Sequence, residues 1–467
     1  MIRVILKGHD NTYGISDILR LFCSNVKEDK ENNTVIGESE RDLVLISEVY
    51  EERPYTYVEG ETRPDSSNLD PIAIKRDIKR SFYIFMCELT GRTFPWGCLT
   101  GIRPTVVAEE EGCDPERLVN TYLVREDKAR LACDTARTEA RILEGLPKGS
   151  LNVYIGVPFC PSRCEYCSFI SADATKHLDL LDSYEEAIET ELKIISERLS
   201  LPISSVYIGG GTPTVFSERT FERLLDATRR FLPIRGDTEF TVEAGRPDTI
   251  TIEKLRSMKD HGVGRICINP QTMNSETLRK LNRKHSAEDI IRAYKDARKI
   301  GIETINMDLI AGLKYETGSD LIDSVKALID LAPENITIHA LYKKRRAGMS
   351  REDVLDENNQ RGNTDDAVIK AYEILGSHRF IPYYMYRQKD TGHGLENVGF
   401  SKLGSECRYN VAMMTDVRDV LSIGAGGMSK RIFDSGRYER CPCTKDVYQY
   451  IRNPNIMAEK KIRFFEE

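Results

Sequence analysis

The sequence predicts an α/β protein, a (β/α)6 partial barrel preceded by an α+β accessory domain. From about Val153 onward, short apolar runs alternate with amphipathic helix patterns, the signature of successive parallel β-α units. Before residue 148 the same kinds of segment follow one another without that alternation. Leu146-Pro147-Lys148-Gly149-Ser150, rich in turn formers, separates the two regimes.

Residues 1–148 are read as the accessory domain. Strand-like pieces lie at Val4 to Leu6 and Leu43 to Glu48, and helical patterns near Ile72 to Leu89 and Pro115 to Leu143. The segment from Phe94 to Pro104 carries the only tryptophan, Trp96, among turn residues, and reads as a packed connector. Residues 149–345 are the expected core. Its apolar runs are Val153 to Val157, Val206 to Ile208, Phe240 to Val242, Arg265 to Ile268, Ile305 to Ile310 and Ile336 to Ile338. Between them, Tyr184, Ile188, Leu192, Ile195 and Leu199 repeat at helical spacing, as do Ile290, Tyr294, Ala297 and Ile300. A barrel of this kind presents its ligands at the carboxyl ends of the strands. Residues 346–467 are expected to complete the barrel and its substrate side.

Composition narrows the function. With 467 residues and a formal net charge of -7, the chain is long enough for two or three domains, and no sustained Lys/Arg block marks a nucleic-acid partner. No stretch approaches eighteen uninterrupted apolar residues and the start carries no cleavage signature, so a cytoplasmic protein without membrane partners is expected. Twelve cysteines in such a chain point to reduced thiols rather than disulfide staples.

Three of those cysteines carry the chemistry. Cys160, Cys164 and Cys167 stand at C-x3-C-x2-C spacing in the turn after the first strand run. Three thiolates on one loop hold three irons of a [4Fe-4S] cube and leave the fourth iron open to a ligand. A zinc site is the alternative, but structural zinc takes four closed ligands and no further Cys or His follows nearby. Cys407 with Cys441 and Cys443 is a weaker candidate for an auxiliary cluster, against the ordinary reading of single thiols as small buried hydrophobes.

The segment from Tyr154 through Cys160, Cys164, Tyr166 and Cys167 resembles the cluster loop of radical S-adenosylmethionine (SAM) enzymes. It is most similar to the oxygen-independent coproporphyrinogen III oxidases and dehydrogenases, the HemZ-type branch in particular. The resemblance implies a radical SAM partial TIM barrel in which the open iron chelates SAM, and an electron from the cluster cleaves it to a 5'-deoxyadenosyl radical. It implies a porphyrinogen substrate and a flavodoxin or ferredoxin electron donor, in haem biosynthesis. It assigns no catalytic side chain beyond the cluster and SAM.

The same resemblance supplies the SAM contacts at successive strand ends. Tyr154 lies on the first, and Gly211 and Thr212 in Gly209-Gly210-Gly211-Thr212-Pro213 follow the second. Glu243 ends the third, Gln271 and Arg283 follow the fourth, and Asp308 lies on the fifth. Glycines admit close backbone approach, and a guanidinium suits a carboxylate. For each of these alone, a surface ion pair or a cap is the ordinary reading.

For the propionates of a porphyrinogen, Lys343-Lys344-Arg345-Arg346 and Tyr383, Tyr384, Tyr386 and Arg387 are the candidates, against a solvated loop and a core tyrosine cluster. The pattern departs from the oxidases at Gly156, where they commonly carry histidine, and at Ser168-Phe169, where they carry Gly-Cys. A haem-binding chaperone on the same scaffold also lacks that Gly-Cys and is the rival reading. A radical SAM enzyme with another substrate is the third.

Overall fold

The computed structural model describes the chain except residues 65–73, 148, 168–171, 200, 201, 342–360, 389–393, 434 and 467. Packing divides it into two units, Met1–Asp134 with Arg387–Lys389 and Thr135–Tyr386 with Asp390–Glu467. The division falls inside the helix Glu126–Glu144, ahead of the position at which the composition of the sequence changes.

In the first unit, strands β1 (Ile2–Lys7), β2 (Ser24–Asp29), β3 (Thr34–Glu38), β4 (Leu43–Tyr50) and β5 (Arg53–Val58) form one sheet in the order β2-β3-β1-β4-β5. Only β1 and β4 run parallel among the pairs, and these are the two strands expected from sequence. Helices Thr12–Phe22 and Ile74–Thr90 bury Ile15, Ile18, Leu19, Ile78 and Phe82 against Val4, Leu6 and Leu45. Trp96 is buried, with the Arg387 guanidinium 5.2 Å from its ring centroid. Arg387 also donates to the carbonyl of Leu99 at 2.5 Å, which accounts for its charge as packing rather than as a propionate contact.

In the second unit every expected run is a strand. β6 (Leu151–Val157) leads to the cysteine loop, whose short β7 (Phe159–Cys160) pairs with β8 (Ala172–Asp173). The barrel continues with β9 (Ile203–Gly210), β10 (Glu239–Gly245), β11 (Arg265–Ile268), β12 (Thr304–Ala311) and β13 (Asn335–Ala340). These six long strands are mutually parallel in chain order. Intervening helices carry their own stop and start signals: Ser286 and Asp289 close a capping box before Ala287–Ile300, and Gly301 ends that helix in the left-handed region. Each helix lays one apolar stripe on the sheet, as Ile290, Ala293, Tyr294 and Ala297 do.

The remaining strands widen the sheet at both edges. β14 (Ile381–Arg387) and β15 (Glu396–Ser401) extend it beyond β13, with β15 antiparallel to β13. β16 (Val420–Ile423) runs parallel to β6, and β17 (Met428–Ile432) and β18 (Tyr438–Pro442) follow antiparallel. Among the described residues no helix is long and apolar enough to cross a membrane.

Candidate functional site

The cysteine loop is pinned to its neighbours by main-chain bonds. The Gly211 N-H donates to Val157 O at 2.8 Å and the Thr212 N-H to Phe159 O at 2.7 Å, so the glycine turn after β9 lies directly on the loop after β6. A Cβ at Gly211 would stand 2.3 Å from Phe159 O, which is why this close approach needs glycine. The Thr212 hydroxyl lies 3.7 Å from Cys160 Sγ. From the other side, the Glu165 N-H donates to Leu281 O at 3.3 Å and Asn282 Nδ2 to Arg163 O at 2.9 Å.

Arg283 is buried against this loop. Its Nη1 donates to Tyr166 Oη at 2.8 Å and lies 3.8 Å from Cys164 Sγ, its Nη2 donates to Asn269 O at 2.6 Å, and its Nε meets His285 Nε2 at 3.3 Å. Four of the five guanidinium N-H groups are thereby engaged. His285 also faces Asp248, which holds Arg246 through two parallel bonds of 3.0 and 2.9 Å, and Arg246 returns to Ser162 Oγ at 2.6 Å. Burial works against the Asp248 charge, but bonds from His285 and Arg246 outweigh it and hold that carboxyl well below the usual range. The chain from Arg283 to Arg246 therefore grips the loop at both Cys164 and Ser162.

The other predicted residues line the barrel at the same end. Glu243 accepts from the Tyr207 hydroxyl at 2.6 Å and from the Gly210 N-H at 3.2 Å. Tyr154 stacks 6.4 Å from Tyr207, and Tyr207 stacks 4.6 Å from Tyr409. Burial first, then the carboxylate charge of Glu243, pushes the phenol of Tyr154 up. Asp308 accepts from Asn306 Nδ2 at 2.7 Å and faces His339 Nε2 at 3.8 Å. Burial pulls His339 down, but Asp308, Asn397 and Glu243 outweigh it and leave its pKa raised. Gln271 takes a left-handed backbone, φ 71°, bridging to β12 through Gln271 N to Asp308 O at 2.8 Å and Ile310 N to Gln271 O at 2.9 Å. A non-glycine residue held there is strained, and such strain gathers at ligand sites.

Burial, followed by the neighbouring Asp308 charge against bonds from Tyr207 and Gly210, raises Glu243 from an ordinary 4.5 to about 7. Burial likewise raises Glu185 and Glu316 to about 7. Between the two values the folded chain holds protons that the unfolded chain has released. The stability from this source is therefore complete below about pH 4.5 and lost as pH rises through about 7. Glu243→Gln should remove its share, flattening the fall between pH 5 and 8 by on the order of 1–3 kcal/mol. Thermal unfolding of the ligand-free protein across that range checks this, and an unchanged slope would contradict it.

The residues fit a [4Fe-4S] cluster with SAM beside it. Three thiols share one loop, no disulfide ties up any of the twelve cysteines, and thiolates suit iron-sulfur chemistry. Among the described residues no three His, Cys, Asp or Glu side chains converge on a single metal ion. A cube does not require such convergence, because each thiolate ligates its own iron. Asn269 Oδ1, beside the Arg283 anchor, is buried with no partner among the described residues, and the carboxylates of Glu243 and Asp308 are the acceptors at the strand ends.

Tyr154, Gly211, Thr212, Glu243, Gln271, Arg283 and Asp308 thus meet in one region with Cys160, Cys164 and Cys167. Sequence reasoning missed Tyr207 and His339, although each lies on the polar alternate positions of a barrel strand, with Ser205 in β9 and with Asn335 and Thr337 in β13. It also missed the Arg246-Asp248-His285 link. Of the propionate candidates, Tyr383 and Tyr384 are buried in the core and Lys343 to Arg346 lie outside the described residues. Of the second cysteine set, Cys407 donates to Glu239 Oε1 at 3.3 Å and Cys441 lies in β18.

Comparison with known proteins places these features in a family. The model of the radical SAM superfamily matches residues 154–328. The oxygen-independent coproporphyrinogen-III oxidase-like protein HemZ of Bacillus subtilis (strain 168) is 32% identical over 459 residues, 92% of either chain. The heme chaperone HemW of Escherichia coli (strain K12) is 27% identical over 67% of this chain and 78% of its own. Among solved structures, the coproporphyrinogen III oxidase HemN from Escherichia coli has the same fold, with a TM-score of 0.53 at 21% identity over 69% of this chain and 73% of that one.

Proposed function

The chain belongs to the radical SAM superfamily and, within it, to the oxygen-independent coproporphyrinogen-III oxidase-like proteins; from that premise we propose that it converts propionate side chains of coproporphyrinogen III to vinyl groups, giving protoporphyrinogen IX. Its cofactors are a [4Fe-4S] cluster and SAM. Held by this chain's residues, they would supply hydrogen-atom abstraction at a propionate β-carbon, the hydrogen ending on the adenosyl fragment of SAM; loss of carbon dioxide and transfer of the remaining electron to an external electron acceptor would leave the vinyl group.

The chain's residues hold and shield. Cys160, Cys164 and Cys167 are the cluster ligands in this reading, and the Gly211-Thr212 turn is bonded directly onto their loop. Glu243 and Asp308 would accept from the amine and hydroxyl donors of SAM, with Tyr154 and Gln271 as the further contacts. A cation arriving next to Glu243 favours its charged form, so binding draws that proton off near neutral pH. Arg283 acts first on the loop, leaving one N-H for a ligand. Stacked Tyr154, Tyr207 and Tyr409 fill the barrel beneath the strand ends and keep water from a reactive intermediate.

The observation that carries this reading is the three-thiol loop bonded to the glycine turn of the next strand, in a chain with a HemZ relative across both of its units. A second reading, haem binding without turnover, is favoured by the HemW relatives and by Ser168-Phe169 after the third cysteine. Anaerobic incubation of reconstituted protein with SAM, a reductant and coproporphyrinogen III separates them. Vinyl product is expected. Tight haem binding without product would overturn the first reading in favour of the second, and SAM cleavage without either would overturn both substrate assignments.

A further inference from the structure

We propose that the outer rim of the cysteine loop is the docking surface for an acidic, low-potential electron-carrier protein of the ferredoxin or flavodoxin class. This rests on the function proposed for the site, which needs one electron from outside the chain for each SAM cleaved. The donor is oxidised by one electron, the chain's cluster is reduced by one, and no atom is transferred.

The chain as a whole is acidic, with a formal charge of -7, yet the surface around this loop is basic. Arg163, Arg279, Lys280 and Lys284 are exposed and Lys314 is half-buried. Of the acids interspersed with them in sequence, Glu276 is paired with Lys280 at 2.8 Å and Glu165 is only partly exposed. The placement is fixed by packing. Leu281 and Asn282 bond to the backbone of Glu165 and Arg163, and Tyr166 packs into the apolar cluster of Leu281, Ile310, Leu313 and Leu341. The Lys280 and Lys314 ammonium groups each lie 5.2 Å from the Tyr315 ring centroid.

Tyr315 is 44% exposed and held in the left-handed region at φ 76°, a conformation costly for an aromatic residue. An outward aromatic flanked by cations is what a protein contact uses, the ring for area and the charges for steering. A porphyrinogen carboxylate also carries negative charge, but a small ligand gains its affinity in a concave, mostly apolar pocket, and Arg163, Arg279, Lys280 and Lys284 stand in solvent. Opposite charge on a partner raises its encounter rate by tenfold or more at low salt.

The test uses the full chain with Lys280→Glu, Lys284→Glu and Lys314→Glu combined. Reduction of the reconstituted protein by an acidic ferredoxin is followed by bleaching of its visible absorbance, with photoreduced 5-deazariboflavin as an uncharged reductant. The variant should be reduced at least about tenfold more slowly by ferredoxin at low ionic strength, converge on the parent at high salt, and match it with deazaflavin. Ferredoxin binding to the metal-free chain, measured by surface plasmon resonance, should weaken in parallel. Equal rates and equal binding would overturn the docking surface, as would a variant that loses only porphyrinogen binding. A parent that takes up no cluster would instead overturn the proposed function, and the binding measurement would still judge the surface.

Discussion

Cys164→Ala is expected to lose cluster occupancy and SAM cleavage together while the chain remains folded. Cys164 is the most buried of the three loop thiols, and its sulfur lies 3.8 Å from the Arg283 guanidinium that also holds Tyr166 and Asn269. Those other bonds do not involve the sulfur, so the loop keeps its anchors at Ser162, Glu165 and Tyr166 when the thiol is removed. What would disappear, in the proposed reading, is one of three ligands to a group with an open corner. After anaerobic reconstitution the parent should carry about four irons per chain. The variant should carry less than half of that, with 5'-deoxyadenosine formation at background. Cys87→Ala, a thiol of the first unit, serves as the control and should change neither. Iron analysis and product chromatography check both numbers, and a Cys164→Ala protein with full iron and full SAM cleavage would remove the assignment.

The second large effect lies away from the thiols, at Lys461 of the carboxyl-terminal helix Pro454–Glu466. Its ammonium is buried against Glu191 of helix Leu178–Arg198, whose carboxylate also accepts from Tyr450 Oη at 2.5 Å and the Gly424 N-H at 3.0 Å. The network reaches the first barrel strand. The Tyr184 hydroxyl donates to Gly156 O at 2.7 Å and accepts from the Ala425 N-H at 2.8 Å. Gly424 sits at φ 93°, where a Cβ would come 2.5 Å from Gly156 O, so strand and glycine turn meet in direct backbone contact. Lys461→Ala leaves a buried carboxylate without its counter-charge and should cost about 3–5 kcal/mol. Pairing Lys461→Met with Glu191→Gln removes both charges and should recover most of that loss, because the desolvation penalty goes with them. Urea unfolding of the parent, the single variant and the double variant measures the effect. A loss below about 1 kcal/mol in Lys461→Ala would show the pair to be replaceable packing.

Much of the barrel was legible because its strands are covered on both faces and read as apolar runs, as Ile266 and Ile268 in β11 or Ile305, Met307 and Leu309 in β12 show. Their ends were less visible: β9 and β10 run on through Gly210 and Gly245, residues that periodicity assigns to turns. The edge strands escaped for a different reason. Ser24–Asp29 is charged and half-exposed, and Arg53–Val58 carries Pro54 in an edge strand, which propensity argues against.

At the site, the spacing of Cys160, Cys164 and Cys167 is a local signal, whereas the three-tyrosine stack draws Tyr154, Tyr207 and Tyr409 from two strands and a distant helix. Position in the barrel wall could have found Tyr207 and His339, since Tyr154, Tyr207, Glu243, Cys267, Asp308 and His339 each fall on the alternate positions of their strands that carry the polar residues. Nothing local marks Tyr409, nor the route from Arg283 through His285 and Asp248 to Arg246, which exists only once two loops have been folded onto the cysteine turn.

In the proposed reading Cys160, Cys164 and Cys167 hold a [4Fe-4S] cluster with one open iron, and Glu243 and the Gly211 turn serve SAM. Electron paramagnetic resonance of the anaerobically reconstituted, reduced protein, with and without SAM labelled with 15N at its amine and 17O at its carboxylate, tests it most directly. The expected result is a [4Fe-4S] signal that shifts on SAM addition and shows hyperfine coupling to both labels. A colourless protein with bound zinc, or a cluster signal that SAM leaves unchanged, would contradict it.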